Sequence, residues 1–133
     1  KSATKEVNEC LNNNFDTLGE ALNKGALRGA RGNSGVILSQ ILKGMASVFV
    51  QHTELTTKIY AKAMKNGAEV AYKAVTVPKE GTILTVIKAM SEKSKSAYKN
   101  AKTFQEFLTV PITPQVTPIF SRISFILKNK YAE

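Results

Sequence analysis

Cysteine, histidine and aspartate occur once each in this chain of 133 residues, as Cys10, His52 and Asp16. A single cysteine forbids an internal disulfide and fits a reducing compartment, which points to the cytoplasm. A single histidine leaves a zinc site or a Ser-His-Asp triad without partners. One aspartate among scattered glutamates gives no acidic cluster of the kind that Mg2+ shares with phosphates. No apolar run approaches the roughly 18–20 residues of a membrane-spanning helix, and no stretch resembles a signal peptide. Acidic residues are also scarce: 19 Lys and Arg stand against 10 Asp and Glu, a net charge of +9. The basic residues never gather into a run of five or six, so they read as a solvated surface rather than a nucleic-acid-binding arm.

What is present is enough for one domain with a core. The length falls in the usual single-domain range, and 43% of the residues are hydrophobic. Helical periodicity dominates. From Asp16 to about Arg28, residues Leu18, Ala21, Leu22 and Ala26 form one stripe, with Asp16 as the expected N-cap and Glu20 in the first turn. From about Ser34 to Gln51 the stripe is Leu38, Ile41, Leu42, Met45 and Phe49, with Ser34 as the expected cap. From about Glu54 to Val75 it is Ile59, Tyr60, Ala63, Met64, Ala68, Ala71 and Val75, whose small members imply close helix–helix contact. Pro78 interrupts the pattern, and Glu80-Gly81-Thr82 opens a further helix through Ile83, Leu84, Ile87 and Met90. Its continuation, SEKSKSAYKNAK, reads as charged and exposed. Residues 1–13 read as the end of an earlier helix with Val7, Cys10 and Leu11 on its apolar face.

The expected fold class is therefore all-α, an antiparallel bundle with short connections. Residues 109–133 form a divergent tail. Pro111, Pro114 and Pro118 block helix over 109–119, and a short helix is expected from about Phe120 to Lys130.

One segment carries chemistry. In Gly29-Ala30-Arg31-Gly32-Asn33-Ser34-Gly35 the glycines fall at every third position, directly before a helix. The spacing matches neither the Walker loop nor the dinucleotide fingerprint. The physics beneath both still applies, since glycines let backbone N–H groups approach an anion and the first N–H groups of a helix lack partners. Ser34 would cap the helix or bind a phosphate oxygen, while Asn33 tolerates a left-handed backbone and offers an amide. An ordinary corner between two helices is the alternative. Gly81 and Thr82 stand at a second helix start of the same kind. If both starts share one end of the bundle, they outline a phosphate site. Arg28 and Arg31 face either phosphate or a neighbouring carboxylate or solvent. His52 lies at a helix end, where a surface or dipole role fits better than catalysis. Cys10 reads as a small core residue, and Tyr60 and Tyr72 as core-edge aromatics, either of which could flank an adenine.

At ALRGARGNSGVILSQIL and again at AYKAVTVPKEGTILTV, the chain resembles the nucleotide-binding (DhaL-like) domain of the dihydroxyacetone kinase family. Within that family it is most similar to the N-terminal domain of bacterial fatty acid kinases of the FakA type. The resemblance spans residues from about 15 to 100 and rests on the pairing of the two segments. It implies a barrel of about eight antiparallel helices in the complete domain, with ADP or ATP at one end. Its phosphates would lie on Gly32, Asn33, Ser34 and Gly35, with Gly81 and Thr82 beside them. It further implies Mg2+ held by an aspartate-rich segment, D-G-D-T-G-x-N, that would precede Lys1. The chain then reads as a partial domain over residues 1–108, incomplete at its N-terminus, without metal ligands of its own. The implied activity is transfer of the ATP γ-phosphoryl group to an acyl carboxylate or small hydroxyketone presented by a carrier protein. A catalytically inactive helical interaction module is the second reading, and a basic nucleic-acid-binding domain the third.

Overall fold

Asn14 begins the first long helix. The computed structural model describes residues 1–10 and 14–109, and these form six helices and no strand: α1 (Ser2–Asn8), α2 (Phe15–Gly29), α3 (Gly32–Phe49), α4 (Thr57–Lys73), α5 (Ile83–Asn100) and α6 (Phe104–Thr109). The Asn14 Oδ1 accepts from the Thr17 N–H at 2.9 Å with φ −83° and ψ 156°. This replaces Asp16 as the N-cap. The cap must be extended and lie three residues before the N–H that it accepts from, which places Asp16 inside the first turn, near the positive end of the helix dipole. Helix α3 likewise starts earlier than Ser34, with Arg31 at the N-cap position, and α4 starts at Thr57, where the Thr56 hydroxyl accepts from the Ile59 N–H.

Successive helices run antiparallel. Ser2 meets Gly29 while Glu6 meets Lys24, so α1 reverses against α2. Asn14 and His52 border one cavity, which sets the start of α2 beside the end of α3. Helix α3 occupies the centre, between α2 and α4, with α5 on α4. The α3–α4 contact is the most extensive. A Cβ at Gly44 would sit 2.8 Å from both the Asn66 carbonyl oxygen and the Gly67 Cα, so only glycine lets the two backbones approach this closely. The Asn66 amide crosses the seam and donates to the Gly44 carbonyl at 2.7 Å and to the Ser47 hydroxyl at 2.9 Å.

Around that seam the core consists of Ile41, Met64, Ala68, Ala71, Leu84 and Ile87. The small-residue stripe read on α4 is therefore the packing face. Leu38 is not in the core; it is 46% exposed, because α3 turns Ile41, Ala46 and Val48 inward instead. The second half of α5 also departs from expectation. Ser91, Ser94 and Ala97 are buried, and the Ser94 hydroxyl donates to the Met90 carbonyl at 2.8 Å, which leaves the side chain almost apolar to its neighbours. Beyond α5, the fully buried Phe107 packs with Ala61 and Ala97. Its ring meets Tyr60 edge-on at 5.8 Å, and Phe104 meets the same ring at 5.7 Å. Thr109 is the last described residue of α6, and the rest of the expected tail, residues 110–133 with its prolines and terminal helix, lies outside the described residues.

Candidate functional site

Among the described residues, positive φ occurs at two positions, Gly32 (64°) and Gly81 (77°). Both immediately precede or begin a helix of 18 residues. At neither would an added Cβ meet another atom within 4 Å. Glycine is required there by the backbone turn and not by crowding, since L-residues reach this region at a cost. The two turns thus leave open space in front of two helix N-termini.

Those N-termini share one end of the bundle. Asn33, Val36 and Ile37 of α3, the segment Ala74–Val77 after α4, and Lys79, Thr82 and Leu84 at the start of α5 enclose one cavity of about 480 Å³. That size lies within the range of small-molecule sites, and valines, Ile37 and Leu84 make most of its wall. Of the six residues singled out in sequence, Asn33 and Thr82 line the cavity and Gly32 and Gly81 adjoin them. Ser34 is exposed and lies outside this lining, and Gly35 faces a different cleft, between α1, α2 and α3.

The two helix starts differ in what already occupies them. At α5 the Thr82 hydroxyl accepts from the Leu84 N–H at 3.3 Å and donates to the Lys79 carbonyl at 2.8 Å. The Gly81 N–H donates to the Thr85 hydroxyl at 2.9 Å, and that hydroxyl donates to the Glu80 carboxylate at 2.6 Å. This end is internally satisfied. At α3 the N-cap residue Arg31 supplies no side-chain cap, and the first turn holds no acidic residue. Its partial positive charge, about half an elementary charge for a long helix, is offset by no acidic side chain in that turn.

The remaining candidates lie elsewhere. Arg28 pairs with Glu6 at 2.7 Å, and Lys24 with the same carboxylate at 3.5 Å. Desolvation alone would raise the Glu6 pKa, but the Arg28 hydrogen bond and the Lys24 and Arg28 charges overcome it and hold the group below the usual carboxylate range. The Arg31 guanidinium folds back on the carbonyls of Arg28 and Ala30, at the end of α2. His52 borders the cavity at the opposite end of the bundle, with its Nε2 buried and unpartnered. Tyr60 belongs to the aromatic cluster, where burial raises its pKa. Tyr72 lines the groove between α4 and α5. Neither tyrosine reaches the cavity at the helix starts. Cys10 is half-buried and follows α1. Sequence reasoning did not single out Lys79 or the Val75–Val77 wall; the signal available was their position directly before the E-G-T helix start.

Among the described residues, no group of three metal-ligating side chains occurs and no carboxylate lines the cavity. These walls do not fit a Mg2+ ion, which seeks carboxylate oxygens. Nor is any helix among the described residues long and apolar enough to cross a membrane.

The chain matches the DAK2 domain over residues 1–112 and belongs to that family. This is a family of dihydroxyacetone-kinase-like nucleotide-binding domains that bind ADP or ATP, and the six-helix structure agrees with its all-helical fold. An uncharacterized protein of Staphylococcus aureus (strain bovine RF122 / ET3-1) is 41% identical over 107 residues. Uncharacterized proteins of strains USA300 and NCTC 8325 / PS 47 match to the same extent. Each alignment covers 80% of this chain and 20% of the relative, so the chain spans about a fifth of the length of the curated relatives it matches.

Proposed function

We propose that this chain is the nucleotide-binding part of a cytoplasmic, ATP-dependent kinase, and that the cavity between the starts of α3 and α5 holds the nucleotide. The observation that carries the reading is convergence. Two segments 45 residues or more apart in sequence, chosen for their glycines, meet at one cavity, and the described residues with left-handed backbone are their Gly32 and Gly81. In this reading the open N–H groups at the start of α3, around Gly32 to Gly35, take phosphate oxygens. The α5 start, already capped by Thr82, shapes the opposite wall more than it donates. Val36, Ile37, Val75 and Val77 offer an apolar bed to a base or ribose.

Within the family, the pairing of GARGNSGVILSQIL with PKEGTILTV supports the fatty acid kinase branch. The acceptor is then an acyl carboxylate, with a small hydroxyketone as the alternative, presented by a separate carrier protein. The chain's own contribution is to position and neutralise the phosphates. Titration calorimetry with ATP and with ADP tests the nucleotide reading. Saturable binding of one nucleotide per chain is expected, and absence of heat at millimolar nucleotide overturns it.

A further inference from the structure

Among the described residues that line the cavity at the helix starts, Lys79 is the only one with a charged side chain. It is exposed and makes no ion pair among the described residues, although an acidic residue follows it in the chain. The reason is local. The carboxylate of Glu80 is taken by the Thr85 hydroxyl at 2.6 Å, and that hydroxyl is itself fixed by the Gly81 N–H. The same turn uses the Lys79 carbonyl to hold Thr82. The backbone of Lys79 is thus anchored to the cap of α5 while its ammonium makes no ion pair or hydrogen bond among the described residues. Two of the other lining residues, Val36 and Val77, are 47% and 68% exposed, so the same cavity offers apolar surface along with this cation.

We propose that Lys79 is the side-chain cation for the nucleotide's terminal phosphates, and that it sets a preference for ATP over ADP and for ADP over AMP. The proposal rests on the nucleotide reading above and adds a residue to it. The start of α3 supplies backbone N–H groups, which grip one phosphate group without counting the others. An ammonium on a flexible stem is a point charge whose attraction grows with the charge of the ligand's phosphate chain. The Glu80–Thr85–Gly81 hydrogen bonds hold the adjacent carboxylate on the α5 cap, where it forms no ion pair with Lys79.

The test compares the intact chain with Lys79→Met and Lys79→Arg, titrated with ATP, ADP, AMP and adenosine, with far-UV circular dichroism as the folding control. Lys79→Met is expected to weaken ATP binding about tenfold, the scale of one charged hydrogen bond. ADP should lose less, AMP less again, and adenosine nothing. Lys79→Arg should retain ATP binding to within a few-fold, and raising the salt should shrink the gap between wild type and Lys79→Met. Equal losses for ATP and adenosine, or no loss for ATP, overturn the role of Lys79 while leaving the cavity as the nucleotide site. A wild-type chain that binds none of the four overturns the nucleotide reading itself.

Discussion

Gly44→Ala sets two physical effects against each other. Gly44 lies in the middle of α3, where alanine is intrinsically better than glycine by about 1 kcal/mol. Propensity alone therefore expects a stabilised variant. The new methyl, however, would stand 2.8 Å from the Asn66 carbonyl oxygen and 2.8 Å from the Gly67 Cα, both of them backbone atoms of α4. Ordinary contacts of this kind need about 3.5–4.0 Å. Relief requires α3 and α4 to separate by nearly an ångström, or α4 to bend. Either movement loosens Ile41 against Met64 and lengthens the Asn66 hydrogen bond to the Gly44 carbonyl, now 2.7 Å. Overpacking of this kind costs about 1–3 kcal/mol, and weakening the hydrogen bond adds up to about 1 kcal/mol. After the propensity gain the balance runs from near zero to a net loss of about 3 kcal/mol, centred near about 1.5 kcal/mol. Urea unfolding followed by circular dichroism at 222 nm reads it directly. With a slope of about 1–2 kcal/mol per molar, the central value lowers the midpoint by roughly 1 M. A midpoint that rises would refute the claim that the α3 and α4 backbones are in contact at Gly44.

Phe107→Ala should be strongly destabilising, by about 3–5 kcal/mol, because the ring is fully buried against Ala61 and Ala97; a melting temperature lowered by less than about 5 °C contradicts the placement of α6. Gly32→Ala should cost about 1 kcal/mol from the left-handed backbone alone, since no atom lies within 4 Å of the new Cβ, and Gly32→Asn should cost less because asparagine tolerates that region; equal thermal stability of wild type and Gly32→Ala would show that the turn is not left-handed. Glu6 links α1 to α2 through Lys24 and Arg28. Its folded pKa is lowered, so its contribution is present above the ordinary carboxylate pKa and disappears as the pH falls through the lowered value. Glu6→Gln should therefore melt below wild type at pH 7 and coincide with it near pH 2, and a gap that persists in acid contradicts the ion-pair account.

The parts legible in the sequence are those where one residue type has one physical use. Gly32 and Gly81 stood out as glycines directly before helices, where a backbone can approach an anion, although the left-handed backbone offered to Asn33 falls on Gly32; the α4 stripe stood out because its small residues recur at helical spacing. Other features had no such local mark. Serine reads as polar, so nothing announced that Ser94 returns its hydroxyl to the Met90 carbonyl and enters the core. Asn14 and Asp16 are both good caps, and only the start of the hydrogen-bond ladder chooses between them. Helix α6 is held by the Tyr60 ring from another element rather than by its own six residues. Lys79 is one lysine among many until the fold sets it in the lining of the same cavity as Asn33. Convergence is a tertiary fact, and sequence could pose it only as a condition.

The most direct measurement of that convergence as a site is an amide-resolved NMR titration of the chain with ADP. The account predicts saturable shifts confined to the start of α3, the Ala74–Val77 segment and the start of α5, with Asn33 and Thr82 among the largest. Shifts that gather instead in the α4–α5 groove around Lys65, Lys88 and Lys95, or that fail to saturate, would contradict it.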